Sequence, residues 1–188
     1  MNLKGDKKIY FNDTETHYSL FHEACISGNI EVVKLFLKYA EELSIDLNQR
    51  DPLEGRTPFM FARSKDVVEL LLNDERIDVN ATNEMDDTSL SYAIDFIEDN
   101  NEKDLEVIDC LLSSTRIDVN IHRFAHLQRT LLHTACQNKF HQGAEKLLKV
   151  AKNRGIDVNQ KDYNGQTAAH HAFGFHMRFN GRLKLKMK

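Results

Sequence analysis

Tryptophan is absent from this 188-residue chain, proline occurs twice and glycine eight times. So few breakers leave little room for flexible linkers. No apolar stretch approaches the ~18–20 residues needed to span a bilayer. The opening MNLKGDKKIYF carries charges but neither an apolar h-region nor a cleavage site, so no secretory signal is expected. Three cysteines cannot all pair within one chain and are too few for a disulfide scaffold. A reducing, cytoplasmic setting is expected, with the nucleus or a host cytosol as alternatives. There is no glycine-rich phosphate loop, no GxSxG and no HExxH, so neither an enzyme nor a cofactor is expected.

What remains is a chain with 41% hydrophobic and 29% charged residues, the profile of one soluble globular domain. The net charge of −4 argues neither for nor against nucleic acid, but its placement is uneven. From Glu84 to Asp109 ten acids face a single base, Lys103, whereas five bases and no acid follow Phe173. An acidic middle and a basic tail are opposite electrostatic features on one small protein.

Self-similarity organises the rest. Four tetrapeptides agree: Ile45-Asp46-Leu47-Asn48, Ile77-Asp78-Val79-Asn80, Ile117-Asp118-Val119-Asn120 and Ile156-Asp157-Val158-Asn159. A hydroxyl residue precedes a small one in SLFHEA, TPFMFA, TSLSYA, TLLHTA and TAAHHA, which begin at Ser19, Thr57, Thr88, Thr130 and Thr167. A third pattern reads EVVKLFL at Glu31–Leu37, DVVELLL at Asp66–Leu72 and LEVIDCLL at Leu105–Leu112. Each hydroxyl can cap a short helix, and Pro58 suits a first helical position. Val33, Phe36 and Leu37 make one apolar helix stripe. One such unit cannot bury both of its faces, so the units must stack.

These residues resemble ankyrin repeats, whose T-P-L-H-x-A motif and ~33-residue period they approximate. The resemblance implies an all-α solenoid of stacked helix-turn-helix units joined by β-hairpin or loop fingers. About four full repeats and a partial fifth are expected. The repeat domain covers residues 14–173, in units 14–48, 49–80, 81–120, 121–159 and 160–173. An N-terminal segment, 1–13, precedes it and a basic tail, 174–188, follows. The array is diverged. Ala62 and Val68 are six residues apart where Ala24 and Val33 are nine, so the second unit has lost about a turn. Units one and four each carry about one extra turn before their asparagine. Unit three carries six additional residues in its acid-rich segment.

Several patterns suggest chemistry. His22-x-x-Cys25 and His133-x-x-Cys136 look like zinc half-sites, but both fall at one register of the repeat, three units apart. Ankyrin-type histidines bond backbone and order the next hairpin, so no metal is expected. The cysteines sit on apolar helices and read as inert. The resemblance also marks Asn80 and Asn120 as candidate hydroxylation positions, each with a leucine eight residues earlier (Leu72 and Leu112). The structural expectation is that each asparagine ties its own turn together.

Function in this fold is expected on a concave groove formed by finger tips and inner helices. The candidate partner-binding residues are Arg56, Phe61, Met85, Asp87, Tyr92, Leu127, Arg129, Tyr163 and His171. The expected function is a protein-protein interaction module, adaptor or inhibitor. Its partner would be a protein with a basic patch facing the acidic third unit, and the chain a monomer. Nucleic acid is not the expected partner, because the repeat body without its tail is strongly acidic. The alternative is a targeting or regulatory arm of a longer enzyme, channel or secreted host-cell effector, of which this chain is a fragment.

Overall fold

The computed structural model describes residues 18–95, 101–121 and 127–172. The N-terminal segment, the basic tail, part of the acid-rich insertion and Phe173 lie outside these residues. Helices come in pairs. Unit one contributes α1 (Leu20–Ser27) and α2 (Ile30–Tyr39), and unit two a short 3-10 helix (Pro58–Phe61) and α3 (Lys65–Leu72). Unit three contributes α4 (Ser89–Asp95) and α5 (Glu102–Ser113), unit four α6 (Leu131–Gln137) and α7 (His141–Arg154), and unit five α8 (Ala168–Ala172). No strand occurs among the described residues.

Packing arranges these elements in two rows. Along the inner row α1 touches the 3-10 helix, which touches α4, then α6, then α8. Along the outer row α2 packs on α3, α3 on α5 and α5 on α7. The core is a continuous band between the rows. Val33, Leu71, Ile108, Leu111 and Leu147 are fully buried in it, and each such side chain contributes ~1.5–3 kcal/mol. Of the small residues that end the inner-helix motifs, Ala24, Ala62 and Ala135 are buried where inner helices approach, whereas Ala93 is half-buried and Ala172, on the last helix described, is exposed.

Local signals explain the helix boundaries. Ser19 and Thr130 accept the N3 amides of His22 and His133, as the capping pattern predicts. Asn29 caps α2 and Asn101 caps α5. Gly28 and Gly155 close α1 and α7 with left-handed φ of 67° each. Thr57 departs from the expected pattern: its hydroxyl makes no capping bond and is buried without a partner. Unit two has lost its turn here. Pro58–Phe61 winds only as a 3-10 helix, Met60 N–H bonds to Thr57 O, and the N3 side chain is an apolar methionine that cannot complete a capping box. The additional turn of unit four is plain in the 14-residue α7.

Candidate functional site

The fingers between units are built on a repeated turn. Asp51 Oδ1 accepts Leu53 and Glu54 N–H at 2.8 and 2.9 Å. Asn83 Oδ1 does the same for Met85 and Asp87, and Asp162 Oδ1 for Asn164 and Gln166. A carboxylate or amide at this position mimics a backbone turn. One residue in each finger then takes positive φ: Gly55, Asp86, Gln128 and Gly165. Neighbouring fingers are joined through backbone, Glu84 N–H to Glu54 O and Tyr163 N–H to Leu127 O, both at 2.9 Å.

Apolar side chains stand out from these tips. Leu53 is 56% exposed, Met85 46% and Tyr163 73%; Leu127 is half-buried beside Tyr163. Tyr92 is half-buried and donates its hydroxyl to Glu54 at 2.9 Å. Phe61 is half-buried, with its ring edge-on to Tyr18 and His22.

The charged candidates face inward. Arg56 bonds Asp51 at 2.8 Å through Nε and Tyr18 Oη at 2.9 Å, and its guanidinium lies 4.7 Å from the Phe61 ring centroid. Burial alone would raise the Asp51 carboxyl, but the Arg56 guanidinium and the Glu54 and Leu53 amides hold it below its ordinary range. Arg129 donates to Gln137 at 2.9 Å and lies 3.8 Å from Asp162, which also pairs with His171 at 3.0 Å. Asp87 is buried and accepts the Ser91 hydroxyl, which removes its side chain from any contact surface. Sequence reasoning could not see that a polar residue at a finger base serves its own finger.

The histidines have structural partners. His22 Nδ1 accepts from Ser19 N–H, so Nε2 carries the proton and donates to Arg56 O at 3.1 Å. His133 repeats this with Thr130 and Gln166 O at 3.0 Å. Each ties its helix to the next finger. Burial lowers both pKa values. It also pushes the Cys25 thiol up to about 12, and raises Cys110 and Cys136. Such thiols are poor nucleophiles and poor ligands. Among the described residues no three His, Cys, Asp or Glu side chains converge to hold a metal.

Just before the fingers, at the ends of the outer helices, the Ile-Asp-x-Asn turns form a ladder. Asn80 Nδ2 donates to Arg116 O at 2.7 Å, and its Oδ1 accepts Asp118 N–H at 2.7 Å. Asn48 makes the same pair of bonds to Arg76 O and Asp78 N–H, and Asn120 Nδ2 reaches Arg154 O. This corrects the expectation that each asparagine ties its own turn. The aspartate does that, as Asp78 accepts Asn80 N–H at 3.2 Å, while the asparagine side chain joins one unit to the next. The amides of Asn80 and Asn120, the candidate hydroxylation positions, are therefore engaged in the ladder.

A family model described as ankyrin repeats (3 copies) matches residues 3–83 and 21–123, together well over half of the chain. The chain belongs to the ankyrin repeat family. Among curated proteins none matches it. Ankyrin repeats are generally protein-interaction modules, typically without catalysis of their own, and no described helix here is long and apolar enough to cross a membrane.

One set of residues in this ankyrin array escaped the sequence reading. Arg116 Nη1 donates to Leu72 O and Asp74 O at 2.6 and 3.0 Å, and Nη2 to Ile77 O at 2.8 Å. Arg154 bonds Leu112 O and Ile117 O, and Arg76 bonds Leu37 O at 2.9 Å. Each arginine satisfies orphan carbonyls at the C-terminal end of the preceding outer helix, where a cation is also favoured by the helix dipole. The available signal was an arginine directly before Ile77 and Ile117, with Arg154 one residue further from Ile156.

Proposed function

We propose that this ankyrin array is a monomeric cytoplasmic adaptor or inhibitor that grips a partner protein with its finger tips and inner helices. The carrying observation is the set of apolar tips, Leu53, Met85 and Tyr163, exposed on three of the four fingers, which backbone bonds join in two pairs through Glu54 and Glu84 and through Leu127 and Tyr163. Exposed aromatic and long apolar side chains on a rigid frame are typical binding anchors. Leu127, Tyr92 and Phe61 extend the set, while Arg56, Arg129 and His171 position the fingers from within. The exposed acid Glu84, next to Met85 on the finger of unit three, favours a basic patch on the partner.

The test places a photo-crosslinking residue at Met85 or Tyr163, with Glu106 on the outer helix as control. The first two positions should capture one common protein that Glu106 does not. Alanine at Tyr163 should then weaken that complex by about 2 kcal/mol, roughly thirtyfold in Kd. Capture from Glu106 alone would place the contact on the other face and defeat the reading.

A further inference from the structure

Unit one carries an apolar stripe that no helix covers among the described residues. Val32, Leu35, Tyr39 and Leu43 are all exposed, at spacings of three, four and four along α2 and the turn after it. The repeat supplies the comparison. Aligned on Leu37, Leu72 and Leu112, Val32 takes the place of Val67 and Val107. Val32 is 37% exposed, whereas Val67 is 0% and Val107 4%. In the same register Leu35 is 54% exposed and Cys110 8%. Leu20 on α1 is exposed where Pro58, Ser89 and Leu131 are buried. The later units bury these positions because a helix of the same row precedes each of them, α2 before α3 and α3 before α5 on the outer row, α1 before the 3-10 helix on the inner row. On α2 the same chemistry is present, and among the described residues no element precedes it to cover it.

We propose that residues 1–17 of this chain dock on that stripe, with Ile9, Tyr10 and Phe11 as the anchors. These three form the only run of three apolar residues before Tyr18. The segment ends beside α1, where the Tyr18 ring packs on His22 and Phe61. Phe11 and Tyr18 are seven residue steps apart, which span about 23 Å when extended, at ~3.3 Å each. That exceeds the ~8–10 Å between packed helices, so the anchors can cross α1 and reach α2. The ankyrin match itself opens at residue 3, well before the first described helix. A solenoid needs its terminal apolar face covered, and this segment supplies apolar groups at the right distance. The stripe lies on an end face, away from the finger tips, so the cap and the partner-binding reading stand or fall separately.

The experiment uses the full chain and a variant with Ile9, Tyr10 and Phe11 all replaced by serine. Amide hydrogen exchange is followed on α2 and α7, with sedimentation to give the mass. The chain should be monomeric, and the triple variant should exchange at least tenfold faster across α2 with α7 unchanged. Leu35→Ala, a milder change, should speed α2 exchange in the natural background and add little to the triple variant. Unchanged α2 exchange in the triple variant overturns the proposal. So does α2 protection that rises with protein concentration alongside a dimer mass, because the occupant is then a second copy.

Discussion

Replacing Arg116 by methionine keeps the aliphatic stem and removes three hydrogen bonds to carbonyls of the preceding unit. The acceptors are Leu72 O, the last carbonyl of α3, together with Asp74 O and Ile77 O. Bonds from a charged donor are worth ~1.5–3 kcal/mol in full burial. Arg116 is only half-buried and water can replace part of each bond, so about 1 kcal/mol apiece is the better figure. Arg116→Met should therefore cost about 3 kcal/mol. For a chain of this size that is roughly 6–12 °C in Tm, at ~2–4 °C per kcal/mol. Arg116→Lys keeps the charge, but one ammonium cannot span Leu72 O and Ile77 O together, so it should recover only about a third. Arg76→Met should cost less, near 1 kcal/mol, because the more exposed Arg76 reaches one carbonyl of unit one and otherwise pairs with Asp74 and Glu41. Urea unfolding monitored by circular dichroism measures all three. A loss below about 0.5 kcal/mol for Arg116→Met, within the range of ordinary surface changes, or full rescue by lysine, refutes the reasoning.

Stability should fall with acid in two stages. His22 and His133 are held below their ordinary 6.5 by burial; the unfolded chain therefore binds more protons first, and the loss begins as pH drops through 6.5 and ends at the depressed folded values. Asp51 and Asp162 are held below 3.8, so their contribution is present above 3.8 and is lost as pH falls through their lowered values. Urea midpoints between pH 7.5 and 3 read both stages, and a midpoint that is flat from 7.5 to 5.5 contradicts the histidine assignment. Gly143→Ala should destabilise, although alanine is favoured by ~1 kcal/mol inside a helix, because its Cβ would sit 2.2 Å from the buried Phe140 ring. A raised Tm for this variant would show that the ring moves aside freely.

The stacking was legible because it is written in residue types that only one arrangement satisfies. Ser19 and Thr130 three residues before a histidine, small residues at the inner-helix contacts and valine-leucine runs on the outer helices each had one physical reading. The shortened second unit was legible too, from the six residues between Ala62 and Val68, though not that its remaining turn would wind as a 3-10 helix. What stayed hidden were bonds to backbone. Arg76, Arg116 and Arg154 find carbonyls some 40 residues earlier, and a carbonyl leaves no trace in the identity of its residue. For the same reason Asn80 looked like a local turn residue when its partners belong to the next unit. At the finger bases, Arg56 and Asp87 carry charges that usually mark a surface, and only coordinates reveal the Asp51 and Ser91 groups that hold them inside.

These hidden bonds explain how a diverged array keeps its register. Unit two has lost a helical turn, and its Thr57 cap is unused, so its inner half lacks the capping bonds that Ser19 and Thr130 supply in units one and four. Its outer helix is nevertheless fixed at both borders. Arg76, at the end of unit two, bonds back to Leu37 O, and Arg116 of unit three bonds back to Leu72 O. Asn48 and Asn80 do the same from the other direction. Because the acceptors and donors on one side are always main chain, the side chains around them can change without breaking the ladder. The ladder at the outer-helix ends therefore helps set the spacing of the units, and the side chains at the finger tips are free to vary in chemistry. That division lets Leu53, Met85 and Tyr163 differ from one another while the backbone that presents them stays in line.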